Sequence, residues 1–314
     1  MKPLELPLAR AGIDRAGELR QQPAELEQLW ENGRILHLAD GKFATSGTTL
    51  AFLTAAEIAG LHKVSTFYEG EKIFLGQLDG VGYFAWCTQS VQSENESADS
   101  TVSTRTIEAL EHFKTLREIG DDLSDLEIGL AVHSQALANW HHTHRFCPKC
   151  GATTTSGNGG SVRRCDVDGS EHYPRTDPAM IVLVTDRADR ILLGRQKVWV
   201  EGRYSNFAGF VDAGESFERC VAREVMEEAN LPVSEITYLG SQPWPFPASI
   251  MIAFSAVTNS PELAKPDGEE IVDIRWFSRD ELSAAVADGS LNLPPVMSVS
   301  RKMIEAWYGQ PINS

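Results

Sequence analysis

Gly209-Phe-Val-Asp-Ala-Gly-Glu215-Ser-Phe-Glu-Arg-Cys-Val-Ala-Arg223-Glu224-Val-Met-Glu227-Glu228-Ala-Asn230-Leu231 is the stretch from which the rest of this 314-residue sequence is best read. The spacing predicts a helix over 216–229. At about 100° per residue, Phe217, Cys220, Val221 and Val225 share an arc of roughly 160° with Glu224, Glu227 and Glu228. A solvated acidic face would lie opposite the apolar residues, and this one does not. Like charges three and four positions apart repel, and a carboxylate beside buried apolar groups is costly without a compensating cation. Three carboxylates offering oxygen donors suit Mg2+ or Mn2+, ions that bridge to substrate phosphates. Such a site hydrolyses phosphoanhydrides by neutralising charge on the leaving phosphate and lowering the pKa of a water.

Ten residues further on comes Ser241-Gln242-Pro243-Trp244-Pro245-Phe246-Pro247-Ala248-Ser249. Prolines at alternate positions fix φ and stiffen the backbone, so Gln242, Trp244 and Phe246 read as side chains on a rigid loop where a planar ring can stack. Two blander readings stand beside that one: a polyproline II ligand for a partner, and a turn whose aromatics simply pack.

Upstream, Cys147-Pro148-Lys149-Cys150 is the tight half of a zinc knuckle, two thiolates able to grip one ion. Cys165 follows, and the fourth position offers Asp168 or, nearby, His172. The alternative is a degenerate ribbon with reduced thiols. The residues from 141 to 175 hold little that packs, and so small a unit commonly needs a metal to fold. Its five cations, Arg145, Lys149, Arg163, Arg164 and Arg175, outnumber the acids Asp166, Asp168 and Glu171. That reversal reads first as a solvated loop and second as a seat for an RNA phosphate. Cys87 and Cys220 read as core residues.

The first stretch resembles the Nudix hydrolase box, G-x5-E-x7-R-E-U-x-E-E-x-G-U with U aliphatic. Gly209, Glu215, Arg223, Glu224, Val225, Glu227, Glu228 and Leu231 match, and Asn230 departs where the pattern has glycine. The second stretch resembles the SQPWPFPxS signature of the NADH pyrophosphatase branch at every specified position. The resemblance implies an α+β multidomain protein: a C-terminal Nudix α/β/α sandwich with a mixed sheet, a zinc-ribbon-like insert before it, and an N-terminal α/β accessory domain. It implies hydrolysis of NADH or NAD+ to nicotinamide mononucleotide and AMP, and in some members removal of NAD caps from RNA 5′ ends. By the same carry-over, Glu224, Glu227 and Glu228 are metal ligands or the water-activating base, and Glu270 is a further metal ligand, the blander reading being a loop acid beside Glu269. Arg223 orients the acids by pairing with Glu215. Gln242, Pro243, Trp244, Pro245, Phe246, Pro247, Ala248 and Ser249 form the nicotinamide nucleotide loop, and Phe210 and Tyr173 stack on the adenine. Cys147, Cys150, Cys165 and Asp168 would hold structural Zn2+, although the family has cysteine where Asp168 stands. A homodimer is expected from the family alone. The rival functions are a Nudix hydrolase for ADP-ribose or another dinucleotide, and a catalytically silent module that binds nucleotide or RNA ends.

The remaining sequence sets the frame. Residues 72–76 and 81–86 read as strands, Gln92–Ser100 as a loop with almost no apolar residue, and Ile107, Leu110, Phe113, Leu116 and then Leu126, Leu130, Leu137 as two helices ending near Trp140. Strands follow over 180–184 and 190–194, with a C-terminal helix over 298–308. The expected domains are 1–140, 141–175 and 176–314. Lys and Arg number 28 against 44 Asp and Glu, a net charge of −16 that repels phosphate backbones and anionic lipid and argues against a general nucleic-acid binder. No run approaches the ~18 apolar residues of a membrane span. The opening Met1–Pro7 places charge and proline where a signal peptide has its apolar stretch, so a cytoplasmic location is expected.

Overall fold

The computed structural model describes residues 3–64, 70–88 and 112–312. The chain divides into two compact units. One takes Thr176–Trp244, Ser249 onward and the N-terminal residues up to Ala9; the other takes Arg10–Arg175 with Pro245–Ala248.

In the Arg10–Arg175 unit, helix α1 (Pro23–Glu31) precedes strands β1 (Arg34–Ala39), β2 (Lys42–Ser46), β3 (Thr49–Leu50) and β4 (Phe52–Leu53). Helix α2 (Ala55–Val64), β5 (Glu71–Leu78), β6 (Val81–Thr88), β7 (Phe113–Thr115), α3 (Leu116–Ile119) and the long α4 (Asp125–Thr143) follow. The sheet runs β3-β2-β1-β6-β5, with β4 on β1 and β7 on β2. It is mixed: β1 and β6 are parallel, and the other pairs are antiparallel. Trp30, Ile35, Phe74, Phe84 and Trp86 form its core. The helix expected through Phe113 and Leu116 is not continuous, because Phe113 pairs with Ala44 in the sheet. Thr115 and Glu118 then build a capping box that starts a new helix at Leu116, so a helical spacing spans a strand boundary. Ile107, Leu110 and the Gln92–Ser100 loop lie outside the described residues. A second capping box, Ser124 with Glu127, opens α4.

Strands β8 (Thr154–Gly157), β9 (Val162–Cys165) and β10 (Glu171–His172) make a small antiparallel ribbon. Buried Arg163 ties it together, donating to Thr154 Oγ1 at 2.8 Å and lying 2.8 Å from His141 Nδ1 on α4.

The other unit is a three-layer sandwich. Its sheet, β14-β15-β11-β12-β16 with β13 on β11, comprises β11 (Asp177–Thr185), β12 (Ile191–Gln196), β13 (Phe207–Phe210), β14 (Ser234–Trp244), β15 (Ser249–Val257) and β16 (Ile271–Phe277). β11 and β15 are parallel within an otherwise antiparallel sheet. The unbroken apolar run of β11 is explained by burial on both faces. Met180, Val182 and Val184 pack with Cys220, Val221 and Val225 of helix α5 (Phe217–Ala229). Ile181 and Leu183 pack with Met303, Ile304 and Trp307 of helix α7 (Val299–Tyr308), and with Leu282 of helix α6 (Arg279–Ala287). Cys220 is fully buried and Cys87 half-buried. None of the described helices is long and apolar enough to cross a membrane.

Candidate active site

Helix α5 starts on Ser216, whose hydroxyl accepts the Arg219 N–H, and the loop before it carries Glu215. Cys220, Val221 and Val225 anchor it to the sheet. Phe217, expected on the same buried face, is 41% exposed, so the packed stripe begins one turn later. The carboxylates grade from solvent to core along the helix. The Glu227 side chain is 58% exposed, that of Glu224 is 14% exposed, and Glu228 as a residue is only 4% exposed.

Arg223 organises the acids. Its Nε and one terminal nitrogen clasp both oxygens of Glu215, at 3.0 and 2.9 Å, in the fork geometry that makes guanidinium–carboxylate pairs directional. The other terminal nitrogen donates to Glu224 at 2.8 Å and Glu227 at 3.0 Å, while the nitrogen that bonds Glu215 also donates to the Phe210 carbonyl at 3.0 Å. The Arg223 bonds hold the Glu215 carboxyl down to about 2. Burial pushes Glu224 the other way, above the ordinary carboxylate range. Burial, with the neighbouring acids Glu270, Glu224 and Asp267, raises Glu228 to about 8.

Two further features shape this end of the unit. Gly209 on β13 lies so close to Glu224 that a Cβ there would stand 2.0 Å from the carboxyl carbon. Glycine lets the carboxylate lie against the strand. Glu270 precedes β16 and accepts from Gln196 Nε2 at 3.0 Å. Its loop is shaped by Asp267, whose carboxylate accepts the backbone N–H groups of Glu269, Glu270 and Ile271. Asp267 escaped the sequence reading, since nothing local but an acid before Gly268 marks it. A cavity of about 110 Å3 opens beside Glu228, lined also by Gln196, Trp199, Asn206 and Ile271.

The fit of these residues to a divalent cation rests on Glu228. Its Oε2 is buried without a hydrogen-bond partner, beside other acids, in a place that disfavours its own charge. Oxygen donors and an unmet negative charge suit a hard cation.

The proline-aromatic stretch is only partly a loop. Gln242, Pro243 and Trp244 end β14 and pair with Met251, Ile250 and Ser249. β14 is an edge strand, where a proline's missing N–H costs no ladder bond on its open side. Gln242 is fully buried: its Oε1 accepts from Leu8 N at 2.9 Å and its Nε2 donates to the Met297 carbonyl at 3.0 Å. Pro245, Phe246, Pro247 and Ala248 form the turn, with a cis Phe246–Pro247 peptide. Phe210 and Tyr173 are 62% and 65% exposed, and the Tyr173 hydroxyl donates to Glu171 at 2.8 Å.

In the ribbon, ligand atoms of Cys147, Cys150, Cys165 and Asp168 all lie within 4.8 Å of one another. Backbone N–H groups of Val167 and Asp168 point at Cys165 Sγ, each at 3.4 Å, as donors do toward a thiolate. Burial opposes ionisation of Cys147, but the N–H groups of Lys149 and Cys150 outweigh it and bring the thiol down to about 6. Three sulfurs and one carboxylate at this spacing fit tetrahedral zinc. His172 is not among the four; its Nε2 lies 3.4 Å from Ser170 Oγ.

Comparisons with known proteins match both regions of the chain. Residues 175–298 match the NUDIX domain model, and residues 142–173 match the NADH pyrophosphatase zinc ribbon domain. The chain is 37% identical over 308 residues to a Mycobacterium bovis BCG protein named "NAD-capped RNA hydrolase NudC", covering 96% of this chain and 94% of that one. A protein of the same name from Pseudomonas syringae pv. syringae is 44% identical over 178 residues, covering 57% of this chain and 60% of that one. A solved NUDIX hydrolase from Nitrosomonas europaea aligns with a TM-score of 0.41 and 22% identity, covering 53% of this chain and 94% of that one.

Proposed function

The chain belongs to the Nudix hydrolases, in the branch that carries the NADH pyrophosphatase zinc ribbon, and from that premise we propose that it cleaves the pyrophosphate of NADH and NAD+, free or as an RNA cap. The observation that carries the reading is the Arg223-ordered acid cluster ending in Glu228, whose buried Oε2 has no hydrogen-bond partner. Divalent metal use follows from the family. Glu224, Glu227, Glu228 and Glu270 are the residues that would hold Mg2+ or Mn2+, and the ion when bound supplies charge neutralisation at the phosphates and a more acidic water.

The chain's own residues do the rest. Arg223 keeps the carboxylates convergent against their mutual repulsion, with Glu215 as its fixed counter-charge. Glu227, the most exposed of the three helix acids, serves as a metal ligand or as the base that takes the proton from the attacking water. Water adds to one phosphorus, the bond from that phosphorus to the bridging oxygen breaks, and nicotinamide mononucleotide and AMP leave, the water's two protons being released to solvent as both monophosphates ionise. Trp244 and Phe246 are the rings proposed for the nicotinamide nucleotide, and Phe210 and Tyr173, each exposed in its own unit, are separate candidates for stacking on adenine. Gln242 acts through the strand that carries Trp244, because its own amide is spent on Leu8 and Met297. Cys147, Cys150, Cys165 and Asp168 are the residues that would hold a structural zinc. A cytoplasmic homodimer, with sequence divisions at 1–140, 141–175 and 176–314, is the accompanying expectation from the sequence and the family.

Steady-state kcat/KM values for NADH, NAD+, NAD-capped RNA and ADP-ribose, under one metal condition, test the reading, since discrimination lies in that ratio. The account expects the three nicotinamide-bearing substrates to exceed ADP-ribose. A preference for ADP-ribose would establish the rival hydrolase, and binding without turnover of any would establish the silent module.

A further inference from the structure

The Pro245–Ala248 turn groups with the Arg10–Arg175 unit, and one side chain of helix α4 grips it. Asn139 Nδ2 donates to the Pro245 carbonyl at 3.0 Å and to the Pro247 carbonyl at 2.8 Å. Asn139 Oδ1 in turn accepts from Gln135 Nε2 at 2.8 Å, one helical turn earlier. Both ends of the Asn139 amide are therefore committed, which fixes its orientation. Proline has no N–H, so its carbonyl is the main-chain group through which it can be held by a hydrogen bond. One amide holds the two prolines on either side of Phe246. The ring between them is met by Arg117 of α3, whose guanidinium carbon lies 3.9 Å from the ring centroid. A ring pinned on both flanks and capped by a cation is preorganised: it need not lose freedom when a ligand arrives.

Resting on the reading of Gln242–Ser249 as the nicotinamide nucleotide loop, we propose that Asn139, oriented by Gln135, is a positioning residue that sets the shape of this turn and thereby the enzyme's preference for the nicotinamide-bearing half of its substrate. It touches no reacting atom. Its effect falls on substrate binding rather than on the chemical step, and on substrates carrying nicotinamide rather than on the adenosine half they share with ADP-ribose.

The test compares KM and kcat for NADH and ADP-ribose in the full-length wild type, Asn139→Ala and Asn139→Asp, with zinc content and the unfolding midpoint recorded for each. Alanine suits a helix better than asparagine, so Asn139→Ala is expected to fold. The expected result is a KM for NADH raised about tenfold by loss of two hydrogen bonds, kcat changed by less than about twofold, and ADP-ribose kinetics unmoved. Asn139→Asp discriminates further. It keeps the size and shape of the residue but turns an oxygen toward two carbonyl oxygens, so the proposal expects it to be at least as damaging as alanine, whereas a packing role would leave it neutral. Arg117→Met, at an exposed position, keeps the proposal falsifiable should the helix variants lose stability: it is expected to raise the NADH KM by about two- to threefold and spare ADP-ribose. Equal effects on both substrates, or none on either, would overturn the proposal. Trp244→Ala separates the two possible failures. If Trp244→Ala raises KM for NADH selectively and the Asn139 variants do not, the proposal alone falls; if Trp244→Ala affects both substrates equally, the reading of the loop falls and takes the proposal with it.

Discussion

Glu224 lies in the space that a side chain at position 209 would fill, and this makes Gly209 a functional position although it carries no chemistry. Gly209→Ala should displace the Glu224 carboxylate and lower kcat/KM by roughly 10²-fold while the helix content by circular dichroism is retained, because ångström-scale misplacement of a reacting group costs that much. Full activity would mean that Glu224 can move aside at no cost. Glu227→Gln tests the chemistry itself. Loss of turnover by about two to four orders of magnitude is expected from a residue that is base or ligand, with the unfolding midpoint close to wild type. Much of this site was legible because its residues are close in sequence. Glu215 and Arg223 stand eight residues apart across one helix start, and the acids recur on one helical face. Asp267 and Asn139 were not legible, because their partners are backbone groups of distant or irregular segments that no side-chain spacing announces.

Helix α5 ends where the box was least regular. Asn230 takes the left-handed conformation, φ 51° and ψ 39°, so an amide stands in for the usual glycine at a position most residues avoid. Its Nδ2 also donates to the Leu263 carbonyl at 3.1 Å, a contact glycine lacks. Asn230→Gly is therefore expected within about 1 kcal/mol of wild type and active, and Asn230→Val to be worse by about 1–3 kcal/mol in urea unfolding. Equal stability of the valine variant would contradict the strain argument. For the ribbon, elemental analysis of protein purified without added metal should find about one zinc per chain. Asp168→Ala should weaken zinc retention and His172→Ala should not; the reverse order would move the fourth ligand to His172. Alternation of proline and aromatic residues reads as a rigid loop beginning at Gln242. The strand's alternation instead buries Gln242 on an edge strand, where proline is tolerated, and edge position depends on the whole sheet order rather than on local sequence.

The whole molecule folds as units whose composition the sequence only partly discloses. Mixed sheets, a ribbon and capped helices follow from local apolar runs, turns and capping boxes. The grouping of Pro245–Ala248 with Arg10–Arg175 follows from none of these. The Arg10–Arg175 unit also carries an acid sensitivity. His37, hydrogen-bonded to Thr88 Oγ1 at 2.9 Å and stacked against Trp86, is pushed by burial down to about 4. His133 is pushed down to about 3 by burial and by Arg15 and Arg20. The unfolded chain takes up these protons first, near pH 6.5, so stability falls as pH drops from 6.5 to about 4 for His37 and to about 3 for His133. For His37 the loss amounts to about 3 kcal/mol. His37→Gln, which removes the titration, should flatten the pH dependence of the unfolding midpoint between pH 6.5 and 4. An unchanged slope would exclude His37 as a contributor.

The central claim, that the Arg223-ordered carboxylates cleave a dinucleotide at its pyrophosphate, is tested most directly by chromatographic analysis of the products formed from NADH with added Mg2+ or Mn2+, for the wild type beside Glu227→Gln. The account predicts equimolar reduced nicotinamide mononucleotide and AMP from the wild type, none without the metal, and almost none from the variant. Release of nicotinamide and ADP-ribose, or the same yield from both proteins, would contradict it.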